Sequence, residues 1–458
     1  MGFDRFLRRA ASQSRVIDLE ESAQSRAILK FQIPLGITAL IMASTFTIVN
    51  AGLARTARPE LALAAFALGQ SVTNLFASPL WSTRNMMVAL GTDRVSLSNA
   101  VRVTTGLATL VTIWIALLAY TPLGTLVYST IFGAPADLLP DVLDVVRLCL
   151  LLPAIYGLRG WGQAVILIHR RTPLLVASMI VRLAFMIPLA IVLPGTGVFS
   201  PTGVGGAIWV FGMSVEAVTC ALFARFLLAS RPEVIPPQRD IGSSSSPSDC
   251  VRFLIPLVAH AYLSSLTFPA INAALARGLN PERSLASFQV AWSLAFLFVA
   301  FVHPNMGQTV LVFLESGRWW RSLRRVGLWI IGIDALALIF AVVSGAATWI
   351  LVGLMGIEET LMGPVRLILL ITVSSVVLGG LVDMWVGVAM KGRRTGVVGM
   401  AKGADVLVVI VVAFGGIALL PGIGGVIAPI ALGAGLLVNL VVLYRMVPID
   451  VPETRKGT

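Results

Sequence analysis

The chain has 458 residues, of which 57% are hydrophobic and 12% charged, and its net charge is +12. Soluble domains carry about 25% charged residues, so this composition excludes an ordinary soluble protein and indicates a protein of the lipid bilayer. The basic residues stand at the ends of apolar segments, which makes them topology signals rather than a nucleic-acid-binding surface. The sequence contains no nucleophile, metal or nucleotide motif, so we predict neither an enzyme nor a cofactor.

Residues 1–30 form a basic N-terminal segment that has no apolar stretch of the kind found in signal peptides. Phe3 and Phe6 beside Arg5 and Arg8 are typical of a short helix lying at the membrane surface. A frayed cytoplasmic tail explains the same residues equally well, and both alternatives stay open.

The rest of the chain predicts an all-α integral membrane protein of about twelve spans, since apolar runs of about 20 residues cross a ~30 Å hydrocarbon core. The predicted spans are 31–54, 62–91, 98–120, 143–168, 173–195, 204–230, 252–276, 284–314, 326–353, 362–390, 396–420 and 424–446. Residues 231–250, rich in Pro and Ser, predict a flexible cytoplasmic linker. This linker separates an N-lobe (31–230) from a C-lobe (251–446), which a tail (447–458) follows.

Lys and Arg recur in every second loop, which fixes the predicted orientation. Basic residues mark the N-terminus, the loop with Arg94 and Arg102, the loop with Arg170 and Arg171, and two later loops. Basic loops stay in the cytoplasm. The sequence therefore predicts a multi-pass protein of the inner or plasma membrane, with both termini and the linker cytoplasmic.

The two halves of the sequence repeat. Residues 31–76 align with 253–298 at a constant offset of 222 residues without a gap, and twenty of the 46 positions are identical. Apolar helices resemble one another by composition, so identities at Pro, Asn and Arg carry most weight. Six spans per repeat give both repeats the same orientation, which predicts two pseudo-symmetric six-helix bundles with a cavity between them.

Two polar pairs are matched by this offset. Asn50 and Asn272 fall near the outer ends of the first and seventh spans, where capping of the helix end is the favoured role. Arg55 and Arg277 follow at the outer interface, where we expect them to anchor loops.

Three arginines fall at one depth in the first repeat. Counting about 1.5 Å per residue from the basic boundaries places Arg84, Arg159 and Arg182 roughly 15 Å deep, near the membrane midplane. Charges there are costly, so they face a cavity or a partner. The functional interpretation is an anion-binding site. The alternative is ion pairing, for which Glu216 in the sixth span is a candidate, as it is for coupling or gating.

The corresponding spans of the second repeat carry acids. With an offset near 223, Arg182 corresponds to Asp405 and Arg159 lies beside Asp383, while Asp334 in the ninth span has a comparable depth. These acids predict a C-lobe that takes protons or sodium ions for coupling or gating. Structural pairing of the charges within or across the lobes is the alternative.

Pro79 and Pro304 interrupt the second and eighth spans at corresponding places. A proline inside a helix frees the carbonyl four residues earlier, and lipid cannot satisfy that carbonyl, so such kinks belong beside protein or a wet cavity. Asn85 and Asn305 follow the prolines and are candidate substrate ligands. Ordinary packing of satisfied polar groups is the alternative.

Four further residues are weaker candidates. Arg147 and Arg366, matched across the repeats, could form an outer ring that binds the anion or could reach to the interface, and Arg366 is retained as a candidate ligand. His260 and His303 are candidates for gating or proton transfer, although lone buried histidines are more often hydrogen-bonded core residues.

Several segments resemble the progressive ankylosis protein family, within the superfamily of multidrug and toxic compound extrusion proteins, lipid II flippases and polysaccharide flippases. The segments that carry the resemblance are FQIPLGIT (31–38), VNAGLA (49–54), ASPLWSTRN (77–85), LPAIYGLRGWGQAVILIHRR (152–171), FPAINAALAR (268–277) and PVRL (364–367). The basic residue before Asn in the second span, here Arg84, and the PVRL arginine, here Arg366, match that family. Arg159 and Gln163 look more like the wider superfamily.

The resemblance implies a transporter that exports pyrophosphate, ATP or organic anions such as citrate. Drug extruders of this fold use a carboxylate in the first span for cation coupling, and the span here contains no acid. The expected partners are the bilayer, a small anionic substrate and possible coupling ions, proton or sodium, with the protein acting as a monomer. The alternatives are a flippase for a lipid-linked saccharide, a multidrug exporter and, disfavoured by the midplane charges, a membrane scaffold.

Overall fold

The computed structural model describes residues 2–91, 93–169, 171–235, 244–302, 305–314, 317–392 and 394–447. Every regular element in these ranges is helical, which confirms the predicted all-α fold class. We number the long helices in chain order: α1 Gly2–Leu53, α2 Pro59–Leu90, α3 Arg94–Tyr120, α4 139–168, α5 Pro173–Val192, α6 Gly203–Ser230, α7 Pro247–Leu275, α8 Pro281–Val302 with Asn305–Phe313, α9 Gly317–Val343, α10 Met362–Lys391, α11 Thr395–Leu419 and α12 Ile427–Met446.

Among the described residues, eleven helices are long and apolar enough to cross a membrane. The remaining predicted span, 143–168, corresponds to α4, which a 3₁₀ turn at Cys149–Leu151 divides into Leu139–Leu148 and Leu152–Ile168. Together the two segments are long enough for one further crossing. The predicted ninth span was too long, because α9 ends at Val343.

Helix α1 extends well before the predicted first span. It is continuous from Gly2, and its residues before the span pack on α9. Gln24 accepts a hydrogen bond from Ser322 at 2.9 Å, and Glu21 pairs with Arg325 at 2.9 Å. Ile28 is buried in the adjoining apolar cluster. From Glu21 onward, this segment is therefore a docked extension of α1 rather than a frayed tail.

Helices α1 and α7 each contact both lobes. Near its end α1 packs on the N-lobe, where Gly52 lies against Ala190 of α5, but earlier it packs on the C-lobe, where Gly36 lies against Phe301 of α8. Helix α7 does the reverse, since Ser82 of α2 donates to the carbonyl of Leu257 while the end of α7 packs on α11. The two helices therefore connect the lobes on both sides of the cleft.

The predicted kink in α2 is present. The helix consists of Pro59–Ala77 and Pro79–Leu90, joined at Ser78. The Leu75 carbonyl, which Pro79 cannot bond, accepts instead from the Ser78 hydroxyl at 2.8 Å. This local partner allows the kink without a water molecule. Pro304, the corresponding residue of α8, lies outside the described residues.

The end of the linker is fixed to the loop between α2 and α3. Asp93 accepts hydrogen bonds from the Ser96 and Ser244 hydroxyls, and Asn99 donates to the carbonyl of Ser245. Burial raises the pKa of the Asp93 carboxyl, but the hydrogen bonds from Ser96 and Ser244 outweigh burial and hold it below its usual value. The predicted flexible linker is thus anchored at Ser244 and Ser245. Residues 236–243 lie outside the described part.

We call the side with this linker the inner side, following the orientation that the basic loops predict. A cysteine at Glu233, exposed after α6, is expected to react with an impermeant maleimide only after cells are permeabilised. A cysteine at Val198, 72% exposed after α5, is expected to react in intact cells and serves as the matched control. Labelling of Glu233→Cys in intact cells would show that the predicted orientation is wrong.

Candidate functional site

The three midplane arginines predicted from the sequence lie together inside the N-lobe. We call Arg84 of α2, Arg159 of α4 and Arg182 of α5, with Glu216 of α6 and Gln163 of α4, the arginine cluster. Four different helices supply these side chains. The cluster therefore depends on the packing of the whole bundle rather than on one local motif.

Glu216 is the centre of the cluster. Its Oε1 accepts from Nε of Arg159 at 2.7 Å and from Nε2 of Gln163 at 3.0 Å, and its Oε2 accepts from Nη1 of Arg182 at 2.5 Å. The Glu216 side chain is fully buried, that of Arg182 is 2% exposed and that of Arg159 14%. One carboxylate thus holds two guanidinium groups away from water.

Arg84 is attached to the cluster through an amide. Its Nη1 donates to Oε1 of Gln163 at 3.3 Å, while the amide nitrogen of Gln163 donates to Glu216. Arg84 is partly exposed, and no carboxylate within the described residues forms a salt bridge with it. Three guanidinium charges and one carboxylate leave the cluster with a formal charge of +2.

Several donors of the cluster are unused. Among the described residues, Nε of Arg84 and both Nε and Nη2 of Arg182 are buried without a hydrogen-bond partner. Guanidinium groups present their donors in a planar fork that fits carboxylate and phosphate oxygens. The cluster can therefore accept further anionic oxygens.

Small residues of α4 allow the helices to approach closely enough to form the cluster. A Cβ atom on Gly162 would lie 2.7 Å from Cβ of Cys220 on α6, and one on Gly160 would lie 3.4 Å from the Thr83 hydroxyl on α2. Glycine at membrane helix contacts permits such short separations. Since Arg159 and Gln163 are one turn apart, this packing directs both toward α2 and α6.

The corresponding place in the C-lobe has a different composition. At an offset of 223, Asp405 corresponds to Arg182, and Asn439 corresponds to Glu216. Asp405 is buried, pairs with Lys402 at 2.8 Å and accepts from Asn439 at 3.3 Å. The carboxylate that the sequence predicted as a free central anion is therefore neutralised by a lysine three residues earlier.

The other two C-lobe acids differ from each other. Asp383 accepts from the backbone N–H of Gly307 at 2.8 Å, in the first turn of the segment Asn305–Phe313, so it occupies a helix N-terminus where a carboxylate is stabilised. Asp334 is 8% exposed, and its Oδ2 has no hydrogen-bond partner within the described residues.

The structure places other predicted site residues outside the cluster. Arg366 is exposed near the outer end of α10 and donates to the Thr348 hydroxyl at 2.9 Å, which argues against a central ligand. Asn85 is exposed on α2. The side chains of Asn305, His260 and His303 fall outside the described part.

Sequence reasoning missed three residues that complete these groups. Gln163, which links Arg84 to Glu216, was noted only within a resembling segment. Lys402 and Asn439, which satisfy Asp405, were not singled out. The offset of 223 from Glu216 would have indicated Asn439, and the spacing of three residues would have indicated Lys402.

Comparison with solved structures identifies the fold as that of the MATE transporters of the MOP superfamily. An inward-facing multidrug resistance MATE transporter superposes with a TM-score of 0.67 at 15% identity, covering 90% of this chain and 96% of the other. An outward-facing MATE structure gives a TM-score of 0.59 at 16% identity, covering 92% and 94%. A MOP superfamily transporter from Pyrococcus furiosus, described as having a binding pocket of reverse polarity, gives 0.57 at 16%, covering 92% and 94%.

At these identities the likeness establishes the fold alone, that of a multi-pass membrane protein. Residues 16–197, less than half of the chain, match the family model of the progressive ankylosis protein (ANKH). That range contains all three arginines of the cluster but not Glu216. No curated protein matches the chain.

Proposed function

We propose that the protein is an alternating-access transporter that exports small polyanions, such as pyrophosphate, a nucleotide or an organic acid, across the membrane. The observation that carries this proposal is the formal charge of +2 in the arginine cluster, with guanidinium donors left over. A single unpaired arginine at the bilayer centre costs ~3 kcal/mol on insertion scales. A transported anion that pairs with the excess charge would offset this cost while it is bound.

The form of the cluster favours a di- or trivalent anion over a monovalent one. Two guanidinium groups share Glu216, so their remaining donors converge from different helices, and Arg84 adds a third group that no acid neutralises. Phosphate and carboxylate oxygens bind such forks through paired hydrogen bonds. The similarity of residues 16–197 to the ANKH family supports pyrophosphate and citrate as first candidates.

A multidrug exporter of cationic compounds is less well supported. The cluster would repel a cation, and α1 has no acidic residue between Phe31 and Leu53. We infer that coupling, if a proton or sodium ion drives transport, involves Asp334, because its buried carboxylate has an unused oxygen.

A flippase for a lipid-linked saccharide would need a lateral opening between α1 and α8. Instead these helices pack together, with Gly36 against Phe301 and a hydrogen bond between Thr309 and Gln32. Nearer the outer side, Thr47 donates to the carbonyl of Ser293 at 3.1 Å. These contacts support a soluble cargo over a lipid-linked one.

Transport should be measured with the purified protein in liposomes. We expect saturable uptake of radiolabelled citrate or pyrophosphate that the other anion inhibits, because both would occupy the arginine cluster. Empty liposomes and an uncharged sugar are the controls. Uptake of the cation ethidium without uptake of any anion would contradict the proposal.

A further inference from the structure

The outer halves of the two lobes are joined by two pairs of side chains that the repeat makes equivalent. Asn50 donates to the carbonyl of Gln289 at 3.2 Å, and Asn272 donates to the carbonyl of Ala67 at 3.0 Å. Both donors and both acceptors are separated by the repeat offset of 222 residues. Both asparagines are buried. They therefore do not cap the ends of their own helices, as expected from the sequence, but bond across the lobe interface.

Arg55 and Arg277 form the second pair. Arg55 donates to the carbonyls of Met355 at 2.9 Å and Leu354 at 2.5 Å in the C-lobe. Arg277 donates to the carbonyls of Thr130 at 2.8 Å and Ile131 at 2.7 Å in the N-lobe. Each arginine thus reaches from the end of α1 or α7 to the opposite lobe.

The acceptors of these arginines are ends of short π-helical segments, Val127–Ile131 in the N-lobe and Trp349–Leu354 in the C-lobe. Carbonyls at a helix C-terminus lack partners within the helix and carry partial negative charge, which a guanidinium group satisfies. Gly133 and Gly356 follow the segments with φ of 66° and 78°, and each lies against the arginine that its lobe receives. A side chain on Gly133 would collide with Arg277.

Each guanidinium also bonds the end of its own helix. Arg55 donates to the carbonyl of Ala51 and Arg277 to that of Ala273, both at 2.7 Å. Two helix C-termini with like partial charge are thus brought together by one cation at each site. Separation of the lobes on the outer side would leave these carbonyls without the donor that now joins them.

The inner segments of α2 and α8 pack apart from each other. The outer segment of α2 packs on Pro281–Val302 of α8, whereas Pro79–Leu90 packs on α3, α4 and α7. The segment Asn305–Phe313 packs on α1 and α10. Its Gln308 is exposed between buried neighbours, as expected for a polar residue beside a wet cleft rather than lipid.

We propose that Asn50, Arg55, Asn272 and Arg277 form an outer clasp that holds the transporter closed on the outer side and open on the inner side. The clasp must break for the outward-open state to form. This inference rests on the alternating-access part of the proposed function, but not on the identity of the cargo.

The test measures maleimide labelling of purified full-length protein at two reporter cysteines, introduced one at a time. Gln70→Cys reports on the outer interface, where Gln70 is 8% exposed, and Gln308→Cys reports on the inner cleft. The native Cys149, Cys220 and Cys250 are buried, so their background labelling is low. No substrate is needed.

Replacing both Arg55 and Arg277 by alanine should raise the labelling rate at Gln70→Cys about tenfold or more, since hydrogen bonds of a charged group are lost. The rate at Gln308→Cys should fall, because opening outside closes the inner cleft. Arg147→Ala, which removes an outer arginine bonded only within the N-lobe by the contacts described, should change neither rate. Arg55→Lys with Arg277→Lys should give an intermediate effect and serves if the alanine variant does not fold.

Unchanged labelling at Gln70→Cys in a folded variant would overturn the clasp. So would a rise at Gln70→Cys without a fall at Gln308→Cys, because that result indicates local loosening rather than a shift between two states. Reciprocal labelling in a protein that transports no anion would leave the clasp standing and refute only the proposed cargo.

Discussion

Replacement of Glu216 by glutamine is expected to destabilise the folded protein by about 3–5 kcal/mol, the usual cost of leaving a buried charge without its partner. Glu216 is the one carboxylate that bonds Arg159 and Arg182, and it is fully buried. Glutamine offers one acceptor oxygen and turns a second donor toward the guanidinium groups. Thermal unfolding of the purified protein in detergent measures the effect.

Two further variants separate charge from packing. Glu216→Gln combined with Arg182→Met should recover much of the lost stability, because replacing both members of a buried pair by groups of similar volume is often neutral. Asp405→Asn is the matched C-lobe control and should cost less, since Lys402 is 25% exposed and can turn to water. A Glu216→Gln protein that unfolds like the wild type would show that the cluster does not need this carboxylate.

The sequence predicted the depth of the charged residues but not their partners. Depth follows from counting residues along a span, so Arg84, Arg159 and Arg182 could be placed at one level. Pairing depends on the rotation of each helix, which an almost uniformly apolar sequence does not define. Glu216 could therefore be suggested as a partner, but its simultaneous contact with Arg159 and Arg182 could not be predicted.

The lobe interface was accessible to the sequence in principle. The identities Asn50/Asn272 and Arg55/Arg277 were found, and their roles were assigned from their position near helix ends. A helix cap and a donor to the opposite lobe have the same signature there, namely a polar residue close to a loop. The conserved spacing between the donors and their acceptors, 222 residues in both cases, appears only when the lobes are seen together.

The C-lobe shows the limit of repeat arithmetic. Asp405 corresponds to Arg182, and this inversion of charge suggested a lobe with free anions. The structure instead has Lys402 and Asn439 around Asp405, so the two lobes use different local partners at matched places. Asp334 has no such partner for its Oδ2 within the described residues, which makes it the better candidate for coupling.

Arg84→Ala is expected to reduce anion transport at least about a hundredfold, because hydrogen bonds from a charged donor contribute about 1.5–3 kcal/mol each and a guanidinium fork makes two. Folding should be nearly unaffected, since Arg84 bonds Gln163 and not Glu216. Arg159→Ala and Arg182→Ala, by contrast, remove partners of Glu216 and should impair both folding and transport. Uptake into liposomes and thermal unfolding, measured on the same preparations, distinguish these cases.

Arg84→Lys should restore part of the transport, because lysine keeps the charge but lacks the planar fork. Arg147→Ala is the matched control: this arginine lies on the outer surface, pairs with Asp144 at 2.7 Å and should be dispensable for uptake. If Arg84→Ala transports citrate and pyrophosphate at the wild-type rate, the excess positive charge of the cluster is structural and the polyanion proposal fails. If lysine restores full transport, charge alone suffices and paired recognition by the guanidinium group is excluded.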